Sequence, residues 1–167
     1  MTQPVVSNAG PLLALAKLNI LHLLKRLYDR VYIPQAVYEE TIVVGLRRGY
    51  EDAHILKLFL KQADWVPTTV SVPSEIGTLR LDRGEQESLA LAQSLEALIL
   101  IDEERGRMRA REFGLTVLGT LGILVTAYRE GMIETDQLRF YLGQITSRDD
   151  IWISPTLCLR VLDEVIE

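Results

Sequence analysis

The sequence predicts an α/β protein, a three-layer α/β/α sandwich around a central, mostly parallel sheet of four or five strands, and three observations carry that prediction. Short apolar runs, VVS near the start and ALILI at 97–101, stop abruptly at polar residues. From Gly84 onward the pattern alternates tightly: helix 85–95, strand 97–101, helix 104–113, strand 115–118, helix 121–129. Such alternation requires parallel strands joined by helices that pack on the sheet faces. The length of 167 residues suits one well-packed core, so a single domain over 1–167 is expected.

The remaining elements follow in order. The first strand, PVVS, runs into the turn Ser7-Asn8-Ala9-Gly10-Pro11. Apolar residues then recur with helical period over 12–27, softened at Asn19, which predicts one bent helix or two short ones. A short strand is expected at 30–33. Pro34 suits a first helical turn and opens a helix to about 44, and 51–62 is a further amphipathic helix. Residues 66–83 carry Pro67, Pro73 and Gly77 among many Ser and Thr, and read as a long irregular connection across the surface. The tail holds a helix at 135–145, with Thr135 and Asp136 at its start, and a last one opened by Ser154-Pro155 and running to 165.

Composition narrows the function classes. With 48% hydrophobic and 25% charged residues the chain is compact, and no run approaches eighteen apolar residues, so no membrane span is expected. The beginning MTQPVV lacks the basic region and apolar run of a signal peptide. A lone Cys158 allows neither an internal disulfide nor a thiolate metal site, and a reducing cytoplasm is the expected location. The net charge of −5 argues against a uniformly basic nucleic-acid surface but permits local patches. Positive charge concentrates at Arg47-Arg48 and at Arg105, Arg107, Arg109 and Arg111, where a spacing of two scatters the side chains around a helix and suits a solvated face. His22 and His54 lie on amphipathic helices as core-edge or surface residues.

Acidic residues are the informative ones. In an open parallel sheet, functional groups collect beyond the carboxyl ends of the strands. Asp102 follows ALILI at such a rim, with Glu103 and Glu104 next; it would serve equally as a helix N-cap. Asn8 holds the same place after PVVS, and would serve equally as a turn residue capping 9–12. Val37, Glu40, Thr41 and Val44 share one helical face, so Glu40 is expected on the inward stripe and Glu39 in water. A buried carboxylate costs roughly 2 kcal/mol or more unless paired or metal-bound. Glu85 and Glu87 lie in a first helical turn, where acids ordinarily favour the helix dipole. Glu85 shares a face with Ser88, Leu89 and Ala92 while Glu87 lies roughly opposite, and both stay candidates. Oxygen donors from separate segments, without His or Cys, suit a hard cation such as Mg²⁺ or Mn²⁺. Glu40, Asp102 and a glutamate of the 85/87 pair are expected to converge.

The pieces VVSNAGPLLALAKL, IPQAVYEE, RGEQESLALA and LILIDEERGRMRAREFGLTVLGTLGILVTAYREGMI, in that order and spacing, resemble the PIN-domain family. That is the fold of Mg²⁺-dependent ribonucleases that include the VapC-type toxins; the last piece resembles a different prokaryotic PIN-like branch more closely. The resemblance implies a doubly wound fold with acids at one sheet edge holding one or two divalent ions. It places the family's first aspartate on Asn8, the second acid on Glu40, the third on Glu85 or Glu87 and the fourth on Asp102, with Glu103 adjacent and Thr120 near a further polar contact. Such a cluster would lower the pKa of a bound water and stabilise charge on the leaving oxygen of a phosphodiester. Arg105 or Arg107, one turn from Asp102, would contact RNA phosphate.

The expected function is therefore a Mg/Mn-dependent endoribonuclease, a toxin paired with a neutralising antitoxin protein being one form of it. Asn8 departs from the pattern, since an amide lacks the charge that helps retain a cation. It supports the alternative of a catalytically weakened PIN-like domain that binds RNA or a protein partner without cutting. A nucleotide binder built on Gly119-Thr120-Leu121-Gly122 is weaker, because a full dinucleotide fingerprint and a Walker lysine are both missing. Apolar faces over 12–27 and 55–60 exceed what a thin sheet covers, which predicts a homodimer.

Overall fold

The structure, a computed structural model, describes residues 3–166. In chain order its elements are β1 (Val5–Ser7), α1 (Ala9–Lys17), α2 (His22–Tyr28), α3 (Gln35–Tyr38), a π-helical turn (Glu39–Val43), α4 (Val44–Arg47), α5 (Glu51–Ala63), α6 (Ser74–Gly77), α7 (Arg83–Leu95), β2 (Leu98–Leu100), α8 (Glu104–Glu112), β3 (Val117–Leu118), α9 (Thr120–Arg129), α10 (Thr135–Ser147) and α11 (Pro155–Val161), closed by a second π turn (Leu162–Ile166). The helical period over 12–27 is split where Asn19 takes a left-handed conformation (φ 58°), which an asparagine tolerates better than most side chains.

Three parallel strands form the sheet in the order β1-β2-β3, with Val6 opposite Ile99 and Ile99 opposite Val117. The four or five strands expected from the sequence are reduced to three because the next two segments meet the sheet only at single bridges. Tyr32 lies beside Val6, and Thr68 beside Pro34. The Tyr32 N–H donates to Val5 O at 2.8 Å, but Pro34 has no N–H with which to continue a ladder, and the chain turns into α3.

Alternation along the strands divides the core in two. Val5 and Leu100 enter one apolar cluster with Leu12, Leu15, Leu24, Leu56, Ile123 and Leu142, beneath α1, α2, α5, α9 and α10. Val6, Ile99 and Ile101 enter the other with Ile76, Leu89, Ala92 and Ala110, beneath α6, α7 and α8. The sandwich is thus built from period-two strands between amphipathic helices. The faces over 12–27 and 55–60 whose excess suggested a second copy are largely consumed by this packing: Leu12, Leu15, Leu23, Leu24 and Leu56 are fully buried, and Leu58 alone of the second group is strongly exposed. Among the described residues, no helix is long and apolar enough to cross a membrane.

Candidate active site

The carboxyl ends of β1 and β2 and the amino ends of α1, α7, α8 and α9 meet at one edge. There Asp102 is half-buried, and both its carboxylate oxygens are engaged by one residue. Oδ1 accepts from the Thr120 N–H at 2.7 Å and Oδ2 from the Thr120 hydroxyl at 2.6 Å. Thr120 is the first residue of α9, so Asp102 does cap a helix, but across the sheet rather than the one that follows it in sequence. Gly119 makes this approach possible, since a Cβ there would stand 2.8 Å from Asp102 Oδ1 and from Arg107 Nη1. Burial pushes the Asp102 carboxyl up more than the Thr120 bonds and the Arg107 charge pull it down.

The acidic concentration lies beside it, on α7. Asp82 is the N-cap, its Oδ1 accepting from the Glu85 N–H at 2.8 Å. Glu85 is only 4% exposed, and its Oε2 is fully buried with no hydrogen-bond partner among the described residues. Gly106 lets α8 close on the end of β2, since a Cβ there would collide with Ile101 Cδ1, and the same position lies in ordinary contact, 3.5 Å, with that oxygen. Burial first, then the closeness and charge of Asp82 and Glu103, push the Glu85 carboxyl up to about 8. Partial desolvation of its carboxyl at the rim, followed by the charge of the same two acids, also raises Glu40. Glu40, Asp82, Glu85 and Glu103 therefore act on one another electrostatically, and among the described residues no lysine or arginine forms an ion pair with any of them.

Several expected placements are corrected. Glu40 is exposed rather than on a buried stripe, because the helix makes a π turn at 39–43. An α-helical spacing from Val37 would bury positions 40 and 44; the i→i+5 turn buries Thr41 and Ile42 instead, leaving Glu40 at the rim. Glu87 is buried but faces away from the cluster. Its Oε1 accepts from the Ala36 N–H at 2.9 Å and its Oε2 from Arg83 at 3.3 Å. It supplies the cap that Pro34, at the N-cap of α3, has no side chain to give. Asp102 is engaged at both oxygens by Thr120, and its neighbour Glu103 is an acid whose charge raises both Glu40 and Glu85. Arg107 folds inward and donates to Ile101 O at 3.0 Å, so it serves the strand end rather than the open surface.

Asn8 is buried and does not cap α1. Its Oδ1 lies 3.4 Å from Ser88 Oγ, while the Ser88 hydroxyl has a closer acceptor in Gly84 O at 2.7 Å. A Cβ on Gly84 would stand 3.5 Å from Asp82 Oδ1 and 3.6 Å from Asn8 Oδ1, so the amide borders the acids through this glycine. A carboxylate in its place would add a negative charge to a cluster already raised by its own acids; a neutral amide avoids that repulsion. Asp82 is absent from the acids expected on sequence grounds, although an acid three positions before a glutamate at a helix start is a recognisable signal.

The donors fit a divalent ion by chemistry, being hard oxygens around an orphaned buried carboxylate oxygen. Among the described residues no three Asp, Glu, His or Cys side chains are drawn together as a closed ligand set. A family model, DUF3368, described as a PIN domain, matches residues 4–167. No curated protein and no solved structure matches the chain.

Proposed function

The chain belongs to the PIN-domain family, and from that premise we propose that it is a metal-dependent endoribonuclease whose acidic groups are Glu40, Asp82, Glu85 and Glu103. The observation that carries this reading is the Glu85 carboxyl, buried, unpartnered at Oε2 and pushed up to about 8 by burial and by Asp82 and Glu103. Uncompensated like charges at a sheet edge are costly, and catalytic sites are where such cost is tolerated. One or two of these carboxylates, together with substrate phosphates, would hold Mg²⁺ or Mn²⁺, which when bound would activate water and neutralise charge on a phosphoryl oxygen. Burial and its acidic neighbours favour the protonated form of Glu85, which would have to lose that proton to ligate a cation. Asp102 positions the amino end of α9 through Thr120, and Arg105 meets substrate phosphate.

Asn8 favours a second reading, a weakened PIN domain that binds RNA without cutting, because a neutral ligand holds a cation less firmly. In the toxin form of the first reading, the exposed Phe140, Trp152, Leu157 and Leu159 of the C-terminal helices and loop would meet an antitoxin or a second copy. Cleavage of single-stranded RNA with Mn²⁺ or Mg²⁺ tests both. Glu103→Gln is expected to lower the rate by about 100-fold or more, while Asp102→Asn acts mainly on stability. Wild type that cuts nothing with either metal overturns the nuclease reading, and Asn8→Asp that switches cutting on establishes the weakened one.

A further inference from the structure

We propose that Arg80 and Arg105 together form a phosphate clamp that seats an RNA strand's backbone across the acidic edge, an inference that rests on the reading of that edge as an RNA site. The four arginines of α8 are not equivalent. Arg109 pairs with Glu112 at 3.0 Å and Arg111 with Glu104 at 4.0 Å. Arg107 is turned in to Ile101 O. Among the described residues, Arg105 alone of the four is exposed and bonded to no acid or strand end; its Nη1 donates to the Arg80 carbonyl at 3.2 Å.

That bond, to the Arg80 main chain, ties the first turn of α8 to the loop before α7, which carries a second exposed arginine, Arg80. Among the described residues the Arg80 side chain has no ion pair and no hydrogen bond. Each cation stands two residues from an acid of the cluster, Arg80 before Asp82 and Arg105 after Glu103. Two exposed arginines on segments held together by this bond, neither paired with an acid among the described residues, offer a phosphodiester backbone the planar, bidentate contacts that arginine favours. On a chain of net charge −5 whose site is itself acidic, a polyanion needs such flanking cations to approach at all.

The clamp is tested by fluorescence anisotropy with a labelled single-stranded RNA in EDTA, so that neither metal nor cleavage enters the readout. Arg80→Ala/Arg105→Ala is expected to weaken binding by about tenfold or more at low salt. It should also flatten the slope of log affinity against log salt by roughly 1.4, or about 0.7 for each phosphate that is no longer neutralised. Lys57→Ala/Lys61→Ala removes the same charge from exposed positions on α5, on the opposite face of the sheet, and should leave binding near wild type. Equal weakening by the two double variants, an unchanged slope in the arginine variant, or no binding by wild type each overturns the clamp. Arginine-dependent binding by a protein that never cleaves would sink the nuclease reading and leave the clamp standing.

Discussion

Two charged clusters sit at opposite ends of α1, and they are built on opposite rules. Beyond its carboxyl end the acids have bases: Arg148 grips Asp150 through Nε and Nη2, each at 2.8 Å, and donates to Lys17 O at 3.1 Å. Lys17 Nζ donates to Asp150 O at 2.7 Å and lies 3.9 Å from Asp52. Hydrogen bonding to Arg148 holds Asp150 down to about 2. Beyond the amino end, Glu85 is pushed up to about 8 among acids that form no ion pair with a base among the described residues. The balanced cluster fastens the loop after α10 onto α1 and α5. The unbalanced one has negative charge left over, which a bound cation would relieve.

The largest test of this contrast is Glu85→Gln. A carboxyl whose pKa is raised on folding binds more protons folded than unfolded, so its contribution to stability is full below about 4.5 and lost as pH rises through about 8. Wild-type melting temperature in EDTA should therefore fall across that window, and the glutamine variant should flatten the fall. Mn²⁺ should raise the wild-type melting temperature near pH 8 and leave the variant almost unmoved; an equal rise in both would deny Glu85 a place at the ion. Next comes Glu87→Ala, which strips the cap from Ala36. Denaturant melts should show a loss of roughly 1–3 kcal/mol, with cleavage per folded molecule unchanged. A large drop in turnover at normal stability would return Glu87 to the site.

Smallest is Asp150→Asn, at the exposed end of the balanced cluster. Exposed pairs contribute about 0.2–1 kcal/mol and are screened by salt, so the loss should appear in melts at low ionic strength and vanish at high. Its pH dependence has the opposite sign to that of Glu85. Stability from a lowered carboxyl is present above about 3.8 and lost as pH falls through about 2.

Much of the site's location is legible in the sequence. PVVS and ALILI end at the rim of the sheet as expected, and the rim rule points to Asn8, Asp102 and Glu103. Helical spacing puts Glu85 and Glu87 on different faces without telling which face meets the acids. Packing answers that, because α7 lies against α3 and turns Glu87 to the Ala36 amide. The inward placement of Glu40 fails for a local reason, a π turn that shifts the wheel by one position and leaves no mark in the apolar pattern.

What the sequence by itself determined is what short-range physics controls: strand period, helix period, the Asn19 break, the proline-opened helices and the acids at strand ends. Tertiary structure alone decided the partners. Asp102 finds Thr120 eighteen positions on, Glu87 finds Ala36 fifty-one positions back, and Arg105 reaches Arg80 across twenty-five. Hydrogen bonds between distant segments depend on how helices seat on the sheet, and periodicity carries no information about that seating. So the sequence could say that this edge is acidic, and only the fold could say which acids were capped and which were left facing one another.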